Sequence, residues 1–217
     1  AAFLPAGGVG DQHLVAADGG QPGLPGGQRP AAQVGHLEDR QLFFAAAIAS
    51  DLGIAMDLII VRKLQIPFNP EAGFGAVTMD GEMFLNRQLL ASLGLSSDDI
   101  EEAKNKAMRE GRSRQRALLG DRRREPLNGR TVILVDDGLA SGYTMLAAIS
   151  EVRKEDPGRV IVAVPTGAGR TVQMVADAVD LLICLNIRGG PFAVADAYRN
   201  WYDLTEDEAV TFLRSVL

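Results

Sequence analysis

Two adjacent carboxylates, Asp136 and Asp137, follow the unbroken β-forming run Thr131-Val-Ile-Leu-Val135. Small and hydroxyl-bearing residues come next: Gly138, Ala140, Ser141, Gly142 and Thr144, interrupted by Leu139 and Tyr143. Ionised carboxylates only accept hydrogen bonds, which suits a vicinal pair of hydroxyls or Mg²⁺. A glycine-containing loop with Ser and Thr hydroxyls suits a phosphate, above all if it opens a helix whose first N–H groups are unpaired. A diol acceptor lying about five residues from a phosphate donor describes a ribose 5-phosphate.

The elements that must position these groups can be read from periodicity. Thr131–Val135 reads as a strand buried on both faces. Met145, Ala148, Ile149 and Val152 recur at helical spacing, so a helix should begin near Tyr143. In an open α/β sheet this puts the loop at the carboxyl end of a strand, where such folds bind ligands. Upstream, Leu42–Leu52 reads as a buried helix stopped by Gly53, and Met56–Val61 as a strand ending in Arg62-Lys63. Asn69–Asn86 reads as two strands around the turn Asp80-Gly81, and Arg87–Leu93 as a short helix. Ser96 or Ser97 caps a long helix running to about Leu119. Downstream, Val160–Val164 reads as a strand, Pro165–Gly169 as a turn and Val172–Val179 as a helix. Leu181–Ile187 reads as a strand, and Thr205-x-x-Glu208 as the capping box of a last helix. The alternation of strand and helix predicts a mainly parallel sheet.

Composition narrows the class. The 217 residues carry 22 Lys and Arg against 28 Asp and Glu, a net charge of −6, which argues against general nucleic-acid binding. The charge is uneven: ten basic and three acidic residues lie between Lys104 and Arg130, read here as a solvated helix and polar loop. No apolar run reaches the length of a membrane span and no secretory signal is apparent, so the expected location is cytoplasmic. Cys184, the one cysteine, sits in the apolar run Leu181–Leu185 and is expected to fill core.

Residues 1–41 differ from the rest. They hold nine of the 24 glycines, four prolines and both histidines, with no Lys, Ser, Thr, Asn, Ile, Met or Tyr. Neither a helical nor a strand period persists there, so the expectation is a poorly ordered or non-native segment preceding a domain at 42–217. The start at Ala1 and the bias toward residues with GC-rich codons are what a shifted reading frame would produce, and a divergent low-complexity extension would produce them too.

The stretch 131–144 resembles the phosphoribosyl-pyrophosphate (PRPP) signature of the type I phosphoribosyltransferases. From about Leu42 to Leu217 the chain is similar to the bacterial and archaeal "predicted phosphoribosyltransferase" branch. Val61-Arg-Lys-Leu64, Asn69-Pro-Glu-Ala-Gly-Phe-Gly-Ala-Val77 and Val162-Ala-Val-Pro165 carry that likeness, with Phe192-Ala-Val and Tyr198-Arg-Asn-Trp-Tyr202 near the end. The resemblance implies a three-layer α/β fold around a mainly parallel five-stranded, flavodoxin-like sheet, with a flexible loop or hairpin and a small hood. It implies displacement of pyrophosphate from Mg²⁺-bound PRPP by a nitrogenous base. Asp136 and Asp137 would hold the ribose hydroxyls, and Gly138 with Ala140, Ser141, Gly142, Tyr143 and Thr144 would line the 5-phosphate site. Arg62 and Lys63 would face pyrophosphate, and Phe192 would stack on the base. A homodimer is compatible with the resemblance.

One departure is serious. The family's first strand and its Pro-Arg-Gly-Gly turn should precede Leu42, yet about Glu38-Asp-Arg-Gln41 stands there with no apolar strand before it. Turnover is therefore expected to be weak. The main rival reading is a non-catalytic regulator that binds PRPP or a nucleotide. A Mg²⁺ phosphohydrolase using Asp136 as nucleophile would need an Asp-x-Asp spacing that the chain lacks.

Overall fold

The computed structural model describes residues 2–6, 41–122, 124–190, 193–199, 207–208 and 210–212. The expected last helix from Thr205 and the base-stacking position Phe192 lie largely or wholly outside these. Two sheets organise the chain. The larger has five strands in the order β2-β1-β6-β7-β8, formed by Asp57–Leu58, Ala2–Ala6, Thr131–Val135, Arg159–Ala168 and Leu181–Arg188. The smaller is antiparallel, with β3 (Val61–Ile66), β4 (Asn69–Thr78) and β5 (Met83–Leu85).

The helices are α1 (Gln41–Leu52), α2 (Arg87–Leu93), α3 (Ser97–Leu119), α4 (Tyr143–Arg153) and α5 (Gly169–Ala176), followed by a 3₁₀ turn at Val194–Ala197. Their ends follow local chemistry. The Asn86 side chain accepts from the Leu89 N–H at 3.0 Å to start α2. Ser96 and Asp99 form a reciprocal capping box at the start of α3. Gly53 and Gly94, both at positive φ, close α1 and α2.

Alternation along β6 divides the core. Val132 and Leu134 pack with Met145, Ile149 and Val152 of α4 and with Val172 and Val175 of α5. On the opposite face, Val135 packs with Leu42, Ala45 and Ala49 of α1. Helix α4 is shared, because it also touches all three strands of the smaller sheet. Leu64, Phe74 and Val77 of that sheet close against Ala107 of α3. Cover on the α1 face thins toward the edge strand β8, where Leu181, Ile183, Leu185 and Ile187 are all exposed. On the other face of β8, Cys184 is half-buried and packs against the core between β6, β7, α4 and α5 as expected, and burial raises its thiol pKa.

Four expectations need correction. The large sheet does have five strands, but parallel pairing is confined to β6-β7-β8. Strand β1 runs antiparallel to both of its neighbours. Second, a strand does occur in the atypical N-terminal segment, at Ala2–Ala6. The slot between β2 and β6 must be filled for their backbone groups to pair, and this short piece fills it in reverse. Pro5 falls beyond the reach of the two-residue β2, so β1 has one partner there, a setting that tolerates a residue without an N–H. Third, the expected strand Met56–Val61 is split. The chain leaves the large sheet after Leu58 and enters the small one at Val61, with Ile59 buried in between. Fourth, Pro165–Gly169 is not a turn: β7 continues to Ala168, and Thr166, Gly167 and Ala168 pair in parallel with Asn186, Ile187 and Arg188.

Among the described residues no helix is long and apolar enough to cross a membrane.

Candidate functional site

Strand β6 ends at Val135 and delivers Asp136 and Asp137 to its carboxyl edge. Asp136 is half-buried and Asp137 is buried, at 8% exposure. The Asp136 Oδ1 accepts the Asp137 N–H at 2.9 Å, which orients the first carboxylate along the chain. The Tyr198 hydroxyl donates to the Asp137 carbonyl. Both sides of the Asp137 main chain are therefore pinned.

The next residues are held to β7. The Leu139 N–H donates to the Thr166 carbonyl at 2.9 Å, and the Leu139 carbonyl accepts from the Ala168 N–H at 3.0 Å. This short parallel bridge opposite Gly167 joins the loop to the same stretch of β7 that pairs with β8 past Pro165. Gly138 sits so close beneath the 3₁₀ turn that a Cβ would lie 2.7 Å from a Val194 methyl and 2.9 Å from the Thr166 methyl. The Thr171 hydroxyl donates to the Ala140 carbonyl at 2.6 Å.

The loop then turns outward. Ala140 and Ser141 are exposed, and Tyr143 and Thr144 are half-buried. Gly142 is the N-cap of α4 with φ of 78°, and no side chain caps that end. The Ser141 and Thr144 hydroxyls have no hydrogen-bond partner among the described residues. An uncapped N-terminus of an eleven-residue helix, with two available hydroxyls beside it, favours an anion.

Arg62 and Lys63 are placed differently from the sequence expectation: they lie inside β3, not at the end of a strand. Arg62 shares the face of Leu64 and donates to Glu110 of α3 at 3.1 Å, while its buried Nε has no partner. The aliphatic stem of Lys63 runs across Gly73 of β4, where a Cβ would meet its Cγ at 2.5 Å. The structure thus brings together Asp136 through Thr144 and engages Arg62 elsewhere.

Sequence reading missed Tyr198, Val194, Thr166 and Thr171, which hold the loop from behind. No local periodicity marks them. Of the four, Tyr198 opens the closing stretch that carries part of the family resemblance, which gives it no role by itself.

The donor set fits a divalent cation of one kind. Two adjacent carboxylates offer hard oxygen ligands, while no group of three or more His, Cys, Asp or Glu capable of holding a metal exists among the described residues. Such hard carboxylate oxygens are of the type that Mg²⁺ takes as ligands.

Comparison with known proteins identifies the family. The family model described as "Phosphoribosyl transferase domain" matches residues 74–197. Two Mycobacterium tuberculosis proteins, from strains CDC 1551 / Oshkosh and H37Rv, are each 36% identical to this chain over 169 residues. Both carry the name "Putative phosphoribosyl transferase". The matched region is 78% of this chain but 38% of those relatives' length. The crystal structure of TT1426 from Thermus thermophilus superposes with a TM-score of 0.59 at 30% identity, covering 79% of this chain and 81% of the other.

Proposed function

This chain belongs to the phosphoribosyl transferase family, and from that premise we propose that it transfers the 5-phosphoribosyl group of PRPP to a nitrogenous base, releasing pyrophosphate. One observation carries the proposal: the acid pair closing β6 runs directly into an uncapped helix N-terminus flanked by the hydroxyls of Ser141 and Thr144, which have no partner among the described residues. A ribose 5-phosphate spans those two features. Asp136 and Asp137 accept from the ribose hydroxyls, and the amides of residues 140–144 with the two hydroxyls receive the 5-phosphate.

In the reaction the C1–O bond to pyrophosphate breaks, and its electron pair leaves with the pyrophosphate. A lone pair of the base nitrogen forms the new C1–N bond, and that nitrogen's proton is lost. C1 gains oxocarbenium character on the way, so two carboxylates beside the ribose favour the transition state electrostatically. Mg²⁺, entering with PRPP, would be held by Asp136 or Asp137 and would neutralise charge on the leaving phosphates.

A second reading has its own support. Because Ala2 pairs with Val135 and Ala6 with Thr131, the carboxyl end of β1 lies at the edge of the sheet remote from Asp136. The strand beside β6 therefore does not end at the edge that carries Asp136, and the Arg62 guanidinium donates to Glu110. A protein built this way binds PRPP or a nucleotide without efficient turnover, as a regulator does.

The test is pyrophosphate release from PRPP and Mg²⁺ with a panel of purine and pyrimidine bases. Base-dependent release supports the transferase. Binding of PRPP without release supports the regulator, and no binding at all defeats both. Ser141→Ala with Thr144→Val should weaken PRPP binding, since each removes a hydroxyl donor without touching a protein hydrogen bond.

A further inference from the structure

We propose that Tyr198 is a positioning residue for the acid pair: its hydroxyl, by holding the Asp137 carbonyl, sets the direction of the carboxylates that grip the sugar. The inference rests on reading residues 136–144 as a ribose 5-phosphate site, and adds a residue that the signature stretch does not contain.

The geometry around Asp137 carries it. The preceding side is fixed by the hydrogen bond between the Asp137 N–H and the Asp136 carboxylate. Two residues on, Leu139 is fixed to β7 at both its N–H and its carbonyl. Between these anchors lies Gly138, which has no side chain to restrict its backbone. The Tyr198 hydroxyl supplies the restraint at that point, on the peptide that joins Asp137 to Gly138.

Tyr198 is itself well placed to act as a fixed post. Its ring lies 6.2 Å from that of Phe44 on α1, at a 48° tilt, within the range of a favourable aromatic pair. The 3₁₀ turn that leads into it is tied to the end of β8 by Arg188, whose guanidinium donates to the Asp196 carbonyl at 2.9 Å. Val194 of the same turn roofs Gly138. The closing segment therefore touches the acid loop twice, once through an apolar contact and once through the phenol. The 5-phosphate half of the site has its own braces, the Thr171 hydroxyl on the Ala140 carbonyl and the ties of Leu139 to β7. Loss of the hydroxyl should consequently disturb the sugar half alone.

The test compares wild type with Tyr198→Phe, which keeps the ring against Phe44 and removes the donor. Two ligands are titrated by calorimetry or NMR: ribose 5-phosphate, which engages both halves, and methyl phosphate, which has no hydroxyl and engages only the phosphate half. Melting temperature is followed for both proteins. The expected result is a roughly five- to tenfold weaker affinity for ribose 5-phosphate, the effect of one lost hydrogen bond, with methyl phosphate affinity unchanged. An unaltered preference for ribose 5-phosphate in the variant would overturn the positioning role while leaving the site assignment intact. Equal losses for both ligands, or an unfolded variant, would reduce Tyr198 to a structural prop. A wild-type protein that does not prefer ribose 5-phosphate to methyl phosphate would remove the site assignment and this proposal together.

Discussion

Gly142 is where the loop's two duties, packing and ligand approach, meet in one residue. From the sequence alone, Gly142→Val looks like a simple way to block a phosphate while sparing the fold. The structure gives a different outcome. With φ of 78°, and with a Cβ that would lie 2.6 Å from Thr171 and 2.8 Å from Met174, any side chain strains the backbone and collides with α5. Gly142→Val is expected to lose about 1–3 kcal/mol of stability, read as a lowered denaturant midpoint, as well as phosphate affinity. A variant of unchanged stability would mean that the loop can move away from α5. The candidate site residues were legible as a contiguous stretch because acids, glycine and hydroxyls in register are a chemical statement. Their supports were not, since Tyr198 and Thr171 approach from 61 and 31 residues away.

Among the elements, α4 begins at the Gly138–Gly142 loop and ends in a clamp. Lys154, just past its last turn, reaches Asp80 at 2.6 Å, Glu82 at 3.1 Å and Glu151 at 3.2 Å. Ser150 donates to Glu82 at 2.8 Å, and Thr78 donates to Asp80. The hairpin turn of the small sheet is thereby fastened to the helix that follows the acid pair and its loop. The hydrogen bond from Lys154, followed by that from Thr78, lowers the Asp80 pKa to about 2 from an ordinary 3.8. Burial acts to lower the Lys154 pKa, but its bonds to Asp80, Glu82 and Glu151 outweigh that and raise it. The sign follows: a depressed carboxylate stabilises the fold fully above about pH 4, and that contribution is lost as pH falls toward 2. Because the pair is largely solvent-exposed, the loss should stay under about 1 kcal/mol. Lys154→Met should flatten the stability profile across that interval, as measured by urea unfolding at several pH values. A profile identical to wild type would show that the clamp contributes nothing. The strand and the turn Asp80-Gly81 were legible as a hairpin. That it docks on α4 was not, because cross-element ion pairs leave no mark in local sequence.

At the scale of the whole molecule the unusual feature is β1. Four strands of the large sheet run one way, and the one beside β6 runs the other. Periodicity captured β6, α4 and β8 within a residue or two, since each repeats its apolar pattern over five residues or more. It did not find β1, because Ala-Phe-Leu-Pro-Ala has no alternation, and its place is set by the slot between β2 and β6. Pyrophosphate gives the regulator reading a test. The Arg62 guanidinium is held by Glu110, so on that reading the affinities for PRPP and ribose 5-phosphate are expected to agree within about tenfold, or 1.4 kcal/mol. A PRPP preference of about a thousandfold, some 4 kcal/mol, would mean that other groups, Lys63 among them, form an effective pyrophosphate site. Hydrogen exchange offers a parallel check: amides of β6 facing β1 should exchange faster than those facing β7, because five residues including a proline make a weak partner.

The assignment of Asp136 and Asp137 to the ribose is tested most directly by calorimetric titration of PRPP with Mg²⁺ into wild type and into the double variant Asp136→Asn, Asp137→Asn. The amides preserve shape, and the first of them can still accept the neighbouring N–H, so the loop should survive while two charges disappear. Affinity should fall by well over about 1 kcal/mol, roughly tenfold or more. Equal affinity in the two proteins would contradict the assignment.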